Sequence, residues 1–355
     1  MVVKVLFAAG GTGGHVYPAF AIAQRLRERG DEVAFVGTRE RLEARLVPAH
    51  GYAFFTIGAH PLARRLSFDL LRTLVKNGLG VVQSLRVMRR FHPDVIVATG
   101  GYVCVPVVLA ARLRRTVLRD RIPVALLEPN VVPGIANRLL ARRSDEVWDA
   151  ATTGVPVRSS LLHLPARSEA IARLGLDPEK KTLLVFAGSQ GARSINDAVL
   201  AVGARGALPH GWQVLHVTGD RDYERVGATG AGASLRAYLE DPTDAYAAAD
   251  LVLARAGAST LAEIEAVGVP AILVPYPHAS EGHQHANAQV LAARGAAVVV
   301  DDAAIGERLG SLLEEVCAPE RLASMCRSAS RSGRDAAAAI LARIDALVAR
   351  REGSP

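Results

Sequence analysis

The stretch Gly10-Gly11-Thr12-Gly13-Gly14-His15 follows the apolar run Val2–Ala9 and precedes a second apolar run, Pro18–Ala23. An apolar run of strand length, a glycine turn and a proline near a helix start predict the first half of a βαβ unit. Glycines let a ligand approach the backbone, and the following helix N-terminus attracts an anion such as phosphate. His15, at the rim of this loop, adds a titratable side chain that indicates chemistry as well as binding. A plain βα turn that needs glycine only for its geometry is the alternative interpretation.

Two common nucleotide-binding loops do not fit this spacing. The P-loop requires GxxxxGK[ST], and no lysine follows these glycines. The dinucleotide fingerprint requires GxGxxG and an acid after the second strand, whereas the predicted strand Val33–Val36 ends in Gly37-Thr38. We therefore do not expect NAD binding.

The composition is that of a globular protein with a large core. The chain has 355 residues, of which 50% are hydrophobic, 22% charged and only 5% aromatic, so two domains of ordinary size are expected. Lys4 interrupts the first apolar run, so it does not read as a signal peptide, and no stretch approaches the roughly 18–20 apolar residues that span a bilayer. The three cysteines lack CxxC spacing and indicate neither a disulfide framework nor a zinc site. These features predict a soluble cytoplasmic protein.

The formal net charge of +7 is concentrated between His60 and Arg121, where arginines far outnumber acids. Within this region an amphipathic helix is predicted from Leu66 to Leu79, with Leu70, Leu71, Leu74 and Val75 on one face. Such a helix either packs its apolar face inward or lies on an anionic membrane surface. No aromatic stacking platform accompanies the arginines, so nucleic acid is not an expected partner.

The pattern of strand, glycine turn and helix recurs along the chain and predicts two doubly wound parallel sheets, with ligands at the carboxyl ends of the strands. An irregular stretch at 158–169 is the predicted linker, and a final helix is predicted over 336–350 with Ile340, Leu341, Ile344 and Leu347 facing inward. The other predicted strands are Asp94–Ala98, Thr182–Ala187, Asp250–Ala254 and Ala271–Pro275, and the other predicted helices begin near Pro106 and at Ile195.

Polar and small residues follow two neighbouring strands in the second half. Arg255–Glu263 continues from a strand into a helix whose N-terminus suits an anion. Thr260 and Glu263 have the spacing of a capping box, so the acid is either a cap or a ligand-binding group. After the next strand, Gln284 and Asn287 suit sugar hydroxyls, because an amide both donates and accepts. His278, His283 and His285 lie in the same region without a carboxylate or cysteine at ligand spacing, so no metal is expected.

Taken together, these motifs resemble the MurG family of glycosyltransferases, which complete the lipid-linked peptidoglycan precursor. The resemblance runs through nearly the whole chain and is carried by the following segments in family order: Gly10–His15, Thr99–Tyr102, Glu128 to Asn130, Gly188–Arg193, Arg255 to Glu263, and His283-Gln284 with Asn287. It implies an α/β GT-B fold with two Rossmann-like domains facing a central cleft. One domain, residues 1–160, would be the acceptor and membrane side, with helix 336–355 packing back on it; residues 166–335 would bind the UDP-sugar.

The family resemblance also implies the reaction. An inverting transfer would move GlcNAc from UDP-GlcNAc to the MurNAc 4-hydroxyl of undecaprenyl-diphosphoryl-MurNAc-pentapeptide (lipid I), forming lipid II through a β-1,4 link. The expected setting is the cytoplasmic face of the cell membrane, with peripheral binding, without cofactor or metal, and with cell-wall synthesis proteins as partners.

Site residues are implied by position. Inverting transfer needs a base for the acceptor hydroxyl, for which His15 is the candidate and Glu128 the second choice. Glu263 would hold the ribose, Leu239 the uracil, Ser189 and the helix start at Ala258 the diphosphate, and Asn130 and Gln284 the GlcNAc hydroxyls. The full set of expected substrate-binding residues is Thr12, Gly13, Gly14, Tyr102, Asn130, Arg158, Ser189, Leu239, Ala258, Ser259, Thr260, Leu261, Ala262, Glu263, Gln284 and Asn287.

The sequence departs from the family pattern at three places. Leu127 stands where a histidine is usual, His283 replaces a frequent glutamine, and the segment 58–62 differs from the usual glycine–leucine–arginine pattern. The donor is therefore better supported than the acceptor. A GT-B transferase with another lipid or metabolite acceptor and a non-catalytic UDP-sugar sensor are the alternatives; a nucleotide-sugar 2-epimerase shares the architecture but does not predict the Gly10–His15 loop.

Overall fold

The structure is a computed structural model that describes residues 2–11, 13–60, 68–117, 119–186, 191–229, 234–329 and 335–352. The chain divides into two compact units, one formed by Met1–Arg158 with Asp335–Pro355 and the other by Ser159–Arg334. Arg167, which lies in the predicted linker, already begins a helix. No helix in the described ranges combines the length and apolar character needed to cross a membrane.

The first unit is built on a six-stranded parallel sheet in the order β3-β2-β1-β4-β5-β6. Its strands are β1 Lys4–Ala8, β2 Glu32–Gly37, β3 Ala53–Thr56, β4 Val95–Ala98, β5 Val124–Glu128 and β6 Glu146–Asp149. Its helices are α1 Gly13–Arg29, α2 Leu42–Ala49, α3 Phe68–Phe91, α4 Cys104–Val117, α5 Ile135–Ala141 and, from the end of the chain, α14 Ala336–Glu352.

Both faces of this sheet are covered. Val5 and Phe7 of β1 belong to a buried cluster with α1 and α14, whereas Leu6 and Ala8 belong to a second cluster with α3 and α4. This alternation with period two is what a strand buried on both sides requires. Ile340, Ile344 and Leu347 of α14 are buried and Leu341 packs against the same cluster, as predicted.

The second unit repeats the arrangement with the order β12-β11-β10-β7-β8-β9, again all parallel. Its strands are β7 Lys181–Phe186, β8 Trp212–Val217, β9 Ser234–Arg236, β10 Leu251–Ala254, β11 Ala271–Leu273 and β12 Ala297–Val299. Its helices are α6 Arg167–Leu174, α7 Arg193–Ala204, α8 Tyr223–Gly227, α9 Thr243–Ala248, α10 Ala258–Val267, α11 His283–Ala293, α12 Ile305–Cys317 and α13 Pro319–Ser328. The doubly wound fold class is thereby confirmed.

In each sheet the strand order reverses at one point, between β1 and β4 in the first unit and between β7 and β10 in the second. Loops that leave two such strands diverge to opposite faces and open a crevice at the carboxyl edge, where open α/β sheets bind ligands. Among the candidate residues, His15 follows β1, Tyr102 follows β4 and the segment 258–263 follows β10, whereas Asn130, Leu239 and Gln284 follow β5, β9 and β11.

Candidate functional site

His15 lies at the reversal point of the first unit. It is the third residue of α1, because the helix starts at Gly13 and Pro18 falls inside it; the expectation that the helix starts near Pro18 is wrong. The His15 Nδ1 atom is 2.9 Å from the Thr99 carbonyl oxygen, and the Thr99 hydroxyl donates to the His15 carbonyl oxygen at 2.8 Å. A carbonyl only accepts, so Nδ1 carries the hydrogen and Nε2 carries the lone pair of the neutral ring. Nε2 is therefore the nitrogen suited to take a proton.

Two glycines of the loop after β4 allow this close approach. Gly100 and Gly101 have φ values of 106° and 81°, which favour glycine. A Cβ on Gly100 would lie 2.6 Å from His15 Nδ1, and one on Gly101 would lie 2.5 Å from the Gly10 carbonyl oxygen. The loops after β1 and β4 therefore pack closely because Gly100 and Gly101 have no side chains. A side chain at either of these two glycines would displace the imidazole of His15 or the loop before it.

A buried carboxylate that the sequence did not single out holds the first glycine turn. Glu43 of α2 is fully buried, and its oxygens accept hydrogen bonds from the Gly11 N–H at 3.1 Å, the Thr38 N–H at 3.0 Å and the Thr38 hydroxyl at 2.8 Å. Side-chain volume at Gly10 is also excluded, because a Cβ there would lie 2.7 Å from Glu43 Oε1. Glu43 thus joins the end of β2 to the turn before His15.

Glu128, the second candidate base, lies at the end of β5 and is hydrogen-bonded to the residues that follow it. It is 3% exposed and accepts four hydrogen bonds, from the Asn130 N–H and side-chain amide at 2.9 Å each, the Gly134 N–H at 3.2 Å and the Asn137 amide at 2.8 Å. Both of its oxygens are therefore already occupied by donors from the residues that follow it. The geometry makes Glu128 a positioning residue for 130–137, and His15 stays the first candidate for the base.

Asn137 connects this loop to the histidine loop. Its Nδ2 atom lies 3.3 Å from the Cβ position of Gly100, and its buried Oδ1 atom has no hydrogen-bond partner within the described protein. A buried acceptor without a donor is costly, so the oxygen is available to a substrate hydroxyl or a water. The sequence signal for Asn137 is weak, because a lone asparagine on a short helix carries no motif.

The second unit contributes a buried carboxylate at its own reversal point. Helix α10 begins at Ala258 with Gly257 as its N-cap, so Thr260 lies inside the helix and the capping-box interpretation of Glu263 is wrong. Glu263 is 8% exposed, and its Oε2 atom accepts a hydrogen bond from the Tyr246 hydroxyl of α9 at 3.0 Å. An oriented carboxylate can accept hydrogen bonds from two neighbouring hydroxyl groups of a ligand. The N-terminus of the same helix can bind a phosphate of that ligand.

The turn before α10 is fixed by an ion pair. Arg255 contacts Asp302 at 2.5 Å, the Ser194 hydroxyl at 3.0 Å and the Val274 carbonyl oxygen at 3.2 Å. It therefore joins the carboxyl ends of β10 and β11 to the start of α7. Gln284 lies in the same region, where its Oε1 accepts from the Tyr276 N–H at 2.8 Å, so its amide NH₂ is the part able to meet a hydroxyl.

A buried network supports α7. Asn196 donates to the Thr218 carbonyl oxygen and to Asp222, and its oxygen lies 2.9 Å from His216 Nε2. Burial lowers the pKa of His216 to about 4, so the ring is neutral near pH 7. The pKa of Asp222 is lowered as well, chiefly by the hydrogen bond that Arg225 donates to it.

The remaining candidates are distributed over both units. In the first, Tyr102 lies 3.9 Å from the Cβ position of Gly11, and Arg158 lies over the Tyr17 ring at 5.9 Å. In the second, Leu239 is half-buried in the loop after β9 and Asn287 is 3% exposed. Thr12 and Ser189 lie outside the described residues, as do the side chains of Leu70, Leu71 and Leu74. Across the described ranges, no three His, Cys, Asp or Glu side chains converge as a metal site.

Two family models together match most of this chain. The profile of the glycosyltransferase family 28 N-terminal domain matches residues 5–148, and that of the family 28 C-terminal domain matches residues 182–340. A relative from Halothermothrix orenii is 41% identical over 359 residues, which cover 93% of this chain and 95% of the relative. A relative from Frankia casuarinae is 40% identical over 379 residues, covering 100% and 99%. Both are named UDP-N-acetylglucosamine–N-acetylmuramyl-(pentapeptide) pyrophosphoryl-undecaprenol N-acetylglucosamine transferase.

A solved structure gives the same answer for the architecture. The crystal structure of Acinetobacter baumannii MurG superposes with a TM-score of 0.75 at 27% identity, covering 98% of this chain and 100% of that one. The GT-B fold class expected from the resemblance is confirmed by this match and by the two parallel sheets.

Proposed function

We propose, because the chain belongs to the MurG family within glycosyltransferase family 28, that it transfers GlcNAc from UDP-GlcNAc to the MurNAc 4-hydroxyl of lipid I and so makes lipid II for peptidoglycan synthesis. The observation that carries the reaction type is the oriented imidazole of His15, whose Nδ1 is bound to the Thr99 carbonyl.

In this proposal His15 removes the proton of the acceptor hydroxyl as its oxygen attacks C1 of the sugar. The new bond joins that oxygen to C1, the bond from C1 to the phosphate oxygen of UDP breaks, and the proton ends on Nε2. Attack from the side opposite the leaving group inverts C1 and gives a β link. Glu128 and Asn137 keep the neighbouring loop in place, and the Asn137 oxygen is available to an acceptor hydroxyl.

The second unit holds the donor in the same proposal. Glu263 receives the ribose hydroxyls, with Tyr246 fixing one of its oxygens. The N-terminus of α10, behind the Gly257 cap, faces the diphosphate and stabilises the charge that develops on UDP as it leaves. Gln284 and Asn130 contact GlcNAc hydroxyls, Leu239 contacts uracil, and Ser189 joins the diphosphate site.

The substrate assignment is tested by incubating the purified protein with UDP-GlcNAc and lipid I. Stoichiometric UDP and lipid II support it. Transfer to a different lipid or metabolite acceptor, with none to lipid I, would favour the alternative acceptor, and UDP-GlcNAc binding without turnover on any acceptor would favour a sensor.

Peripheral binding to the cytoplasmic face of the membrane is part of this proposal, and exposed apolar rows on the first unit support it. α4 packs against both α3 and α5. Each of these helices exposes apolar residues at helical spacing, and the basic residues Lys76, Arg119 and Arg142 lie within these helices or close to their ends in the chain. The exposed apolar residues are Val75, Leu79 and Val82 of α3, Leu109, Leu113 and Val117 of α4, and Ile135 and Leu139 of α5. Apolar rows with basic neighbours suit an anionic bilayer surface.

A further inference from the structure

A cavity of about 390 Å³ opens at the carboxyl ends of β2 and β3 in the first unit, and the reaction steps proposed above do not use it. Tyr102 lines it and also lies beside Gly11, so the cavity adjoins the turn that precedes His15. The segment 58–60, which departs from the family pattern, forms part of its wall.

This segment is pinned to one face of α3. Gln83 accepts a hydrogen bond from the Gly58 N–H at 2.6 Å, and Asn77 brackets His60 by accepting from its N–H at 2.9 Å and donating to its carbonyl oxygen at 3.1 Å. Between them, a Cβ on Gly80 would collide with the Gly58 carbonyl oxygen. Residues 77, 80 and 83 follow one another at three-residue steps and share a helix face, so the wall is preorganised.

The cavity carries cationic hydrogen-bond donors. Arg39 and Arg41 line it with the half-buried His60, and the Arg39 Nε atom donates to the Thr56 hydroxyl at 3.3 Å, which orients the guanidinium group. Within the described ranges neither arginine forms an ion pair. Among the lining residues Glu40 carries a carboxylate. The nearby Glu43 carboxylate, behind Thr38, has its oxygens occupied by backbone and hydroxyl donors.

We infer that this cavity binds an oxyanion of the acceptor, either a phosphate of the lipid diphosphate or a carboxylate of the peptide. The inference rests on the proposed function, whose acceptor carries both groups. Guanidinium groups bind phosphate and carboxylate through paired, charge-assisted hydrogen bonds. The position beside Tyr102 and Gly11 puts such an anion next to the turn that carries the base, while the donor diphosphate has its own helix N-terminus in the second unit.

The test compares Arg39→Ala and Arg41→Ala, singly and together, with Arg45→Ala as the matched control. Arg45 is an exposed arginine of α2 that does not line the cavity. Acceptor KM, UDP-GlcNAc KM and kcat are measured with two acceptors, lipid I with its full peptide and the same lipid-linked MurNAc diphosphate in which a methylamide on the lactyl group replaces the peptide, so that no carboxylate remains. Because a hydrogen bond to a charged group contributes enough for about a tenfold change, each cavity variant should raise acceptor KM about 10-fold or more. The UDP-GlcNAc KM and the Arg45→Ala enzyme should stay near wild type.

The two acceptors identify the anion. A rise in KM for both acceptors assigns the cavity to the diphosphate, and a rise only for the peptide-bearing acceptor assigns it to a carboxylate. Unchanged acceptor KM in the double variant overturns the inference, as does an equal rise in Arg45→Ala, which would indicate only general charge attraction. Failure of the wild type to use either acceptor would instead refute the proposed function.

Discussion

Replacing Glu43 by glutamine should impair both stability and turnover, because one carboxylate serves donors on two sides. Glu43 accepts from Gly11 through one oxygen and from the Thr38 N–H and hydroxyl through the other. In Glu43→Gln the amide oxygen can serve one side only, so an NH₂ group faces the donors of the other side. A buried donor left unpaired costs about 1–3 kcal/mol, so we expect the free energy of unfolding to fall by about 2 kcal/mol.

The effect on turnover follows from the position of Gly11. It lies four residues before His15, so a displaced turn moves the first turn of α1 and the imidazole on it. A misplacement of about 1 Å costs on the order of 100-fold in rate, so we expect kcat to fall by about 10- to 100-fold. UDP-GlcNAc affinity should change little, because the proposed ribose and diphosphate contacts lie in the second unit.

The assay is urea unfolding together with kcat and UDP affinity, for Glu43→Gln and for Glu32→Gln as the control. Glu32 lies at the opposite end of β2 and forms an exposed ion pair with Lys4, which contributes at most about 1 kcal/mol. If Glu43→Gln loses stability but keeps wild-type kcat at a temperature where it is folded, the positioning role is refuted. If Glu43→Gln keeps both the wild-type stability and the wild-type kcat, the hydrogen bonds of Glu43 to Gly11 and Thr38 do not matter for either property.

Four further expectations follow from the geometry. Glu263→Ala should weaken UDP binding without loss of fold, and Tyr246→Phe should weaken it less. Unchanged UDP affinity of Glu263→Ala in calorimetric titration would contradict the proposed contact between Glu263 and the ribose. Activity should persist in EDTA, because a helix N-terminus is expected to hold the leaving diphosphate, and loss that one divalent metal restores would contradict this. Since burial lowers the pKa of His216 to about 4, the unfolded chain binds the proton first as pH falls. The contribution of His216 to the free energy of unfolding is therefore complete above about pH 6.5 and declines by about 1.4 kcal/mol per pH unit down to about pH 4. Urea unfolding of His216→Gln at a series of pH values should lack this decline. Leu79→Ser with Leu113→Ser should reduce binding to phosphatidylglycerol vesicles, and added salt should weaken wild-type binding; flotation insensitive to both changes would refute the membrane surface.

The repeated pattern of strand, glycine and helix was sufficient to predict both sheets. Runs such as 2–9 and 182–187 are short, apolar and followed by glycine, and they became β1 and β7 within two residues. The inward face of the last helix was also predictable, because period-3.6 spacing of large apolar residues reports burial directly. The helix predicted from Leu66 to Leu79 is longer in the structure, ending at Phe91, because the apolar period continues past the glycines at 78 and 80.

What the sequence could not reveal is which polar groups meet in space. The bond from Gly11 to Glu43 spans 32 residues and that from His15 to Thr99 spans 84, so no local pattern announces them. The capping-box spacing of Thr260 and Glu263 left two interpretations open for a similar reason: no local pattern showed that Gly257 is already the N-cap of α10, or that Tyr246 from another helix binds the carboxylate. Glu128 was named as a candidate, but no local pattern showed that four donors from residues 130–137 would meet its carboxylate at the end of β5.

His15 as the general base is tested most directly by the pH dependence of kcat for the wild type and His15→Ala, with UDP-GlcNAc affinity measured on the same samples. We predict that the wild-type rate rises with pH through the range where an imidazole loses its proton, roughly pH 5.5–7.5, and then reaches a plateau. His15→Ala should keep donor affinity, lose about 100- to 10,000-fold in kcat and lack the rise. Near-normal turnover in His15→Ala, or the same rise with pH in both proteins, would contradict the assignment of His15 as the base.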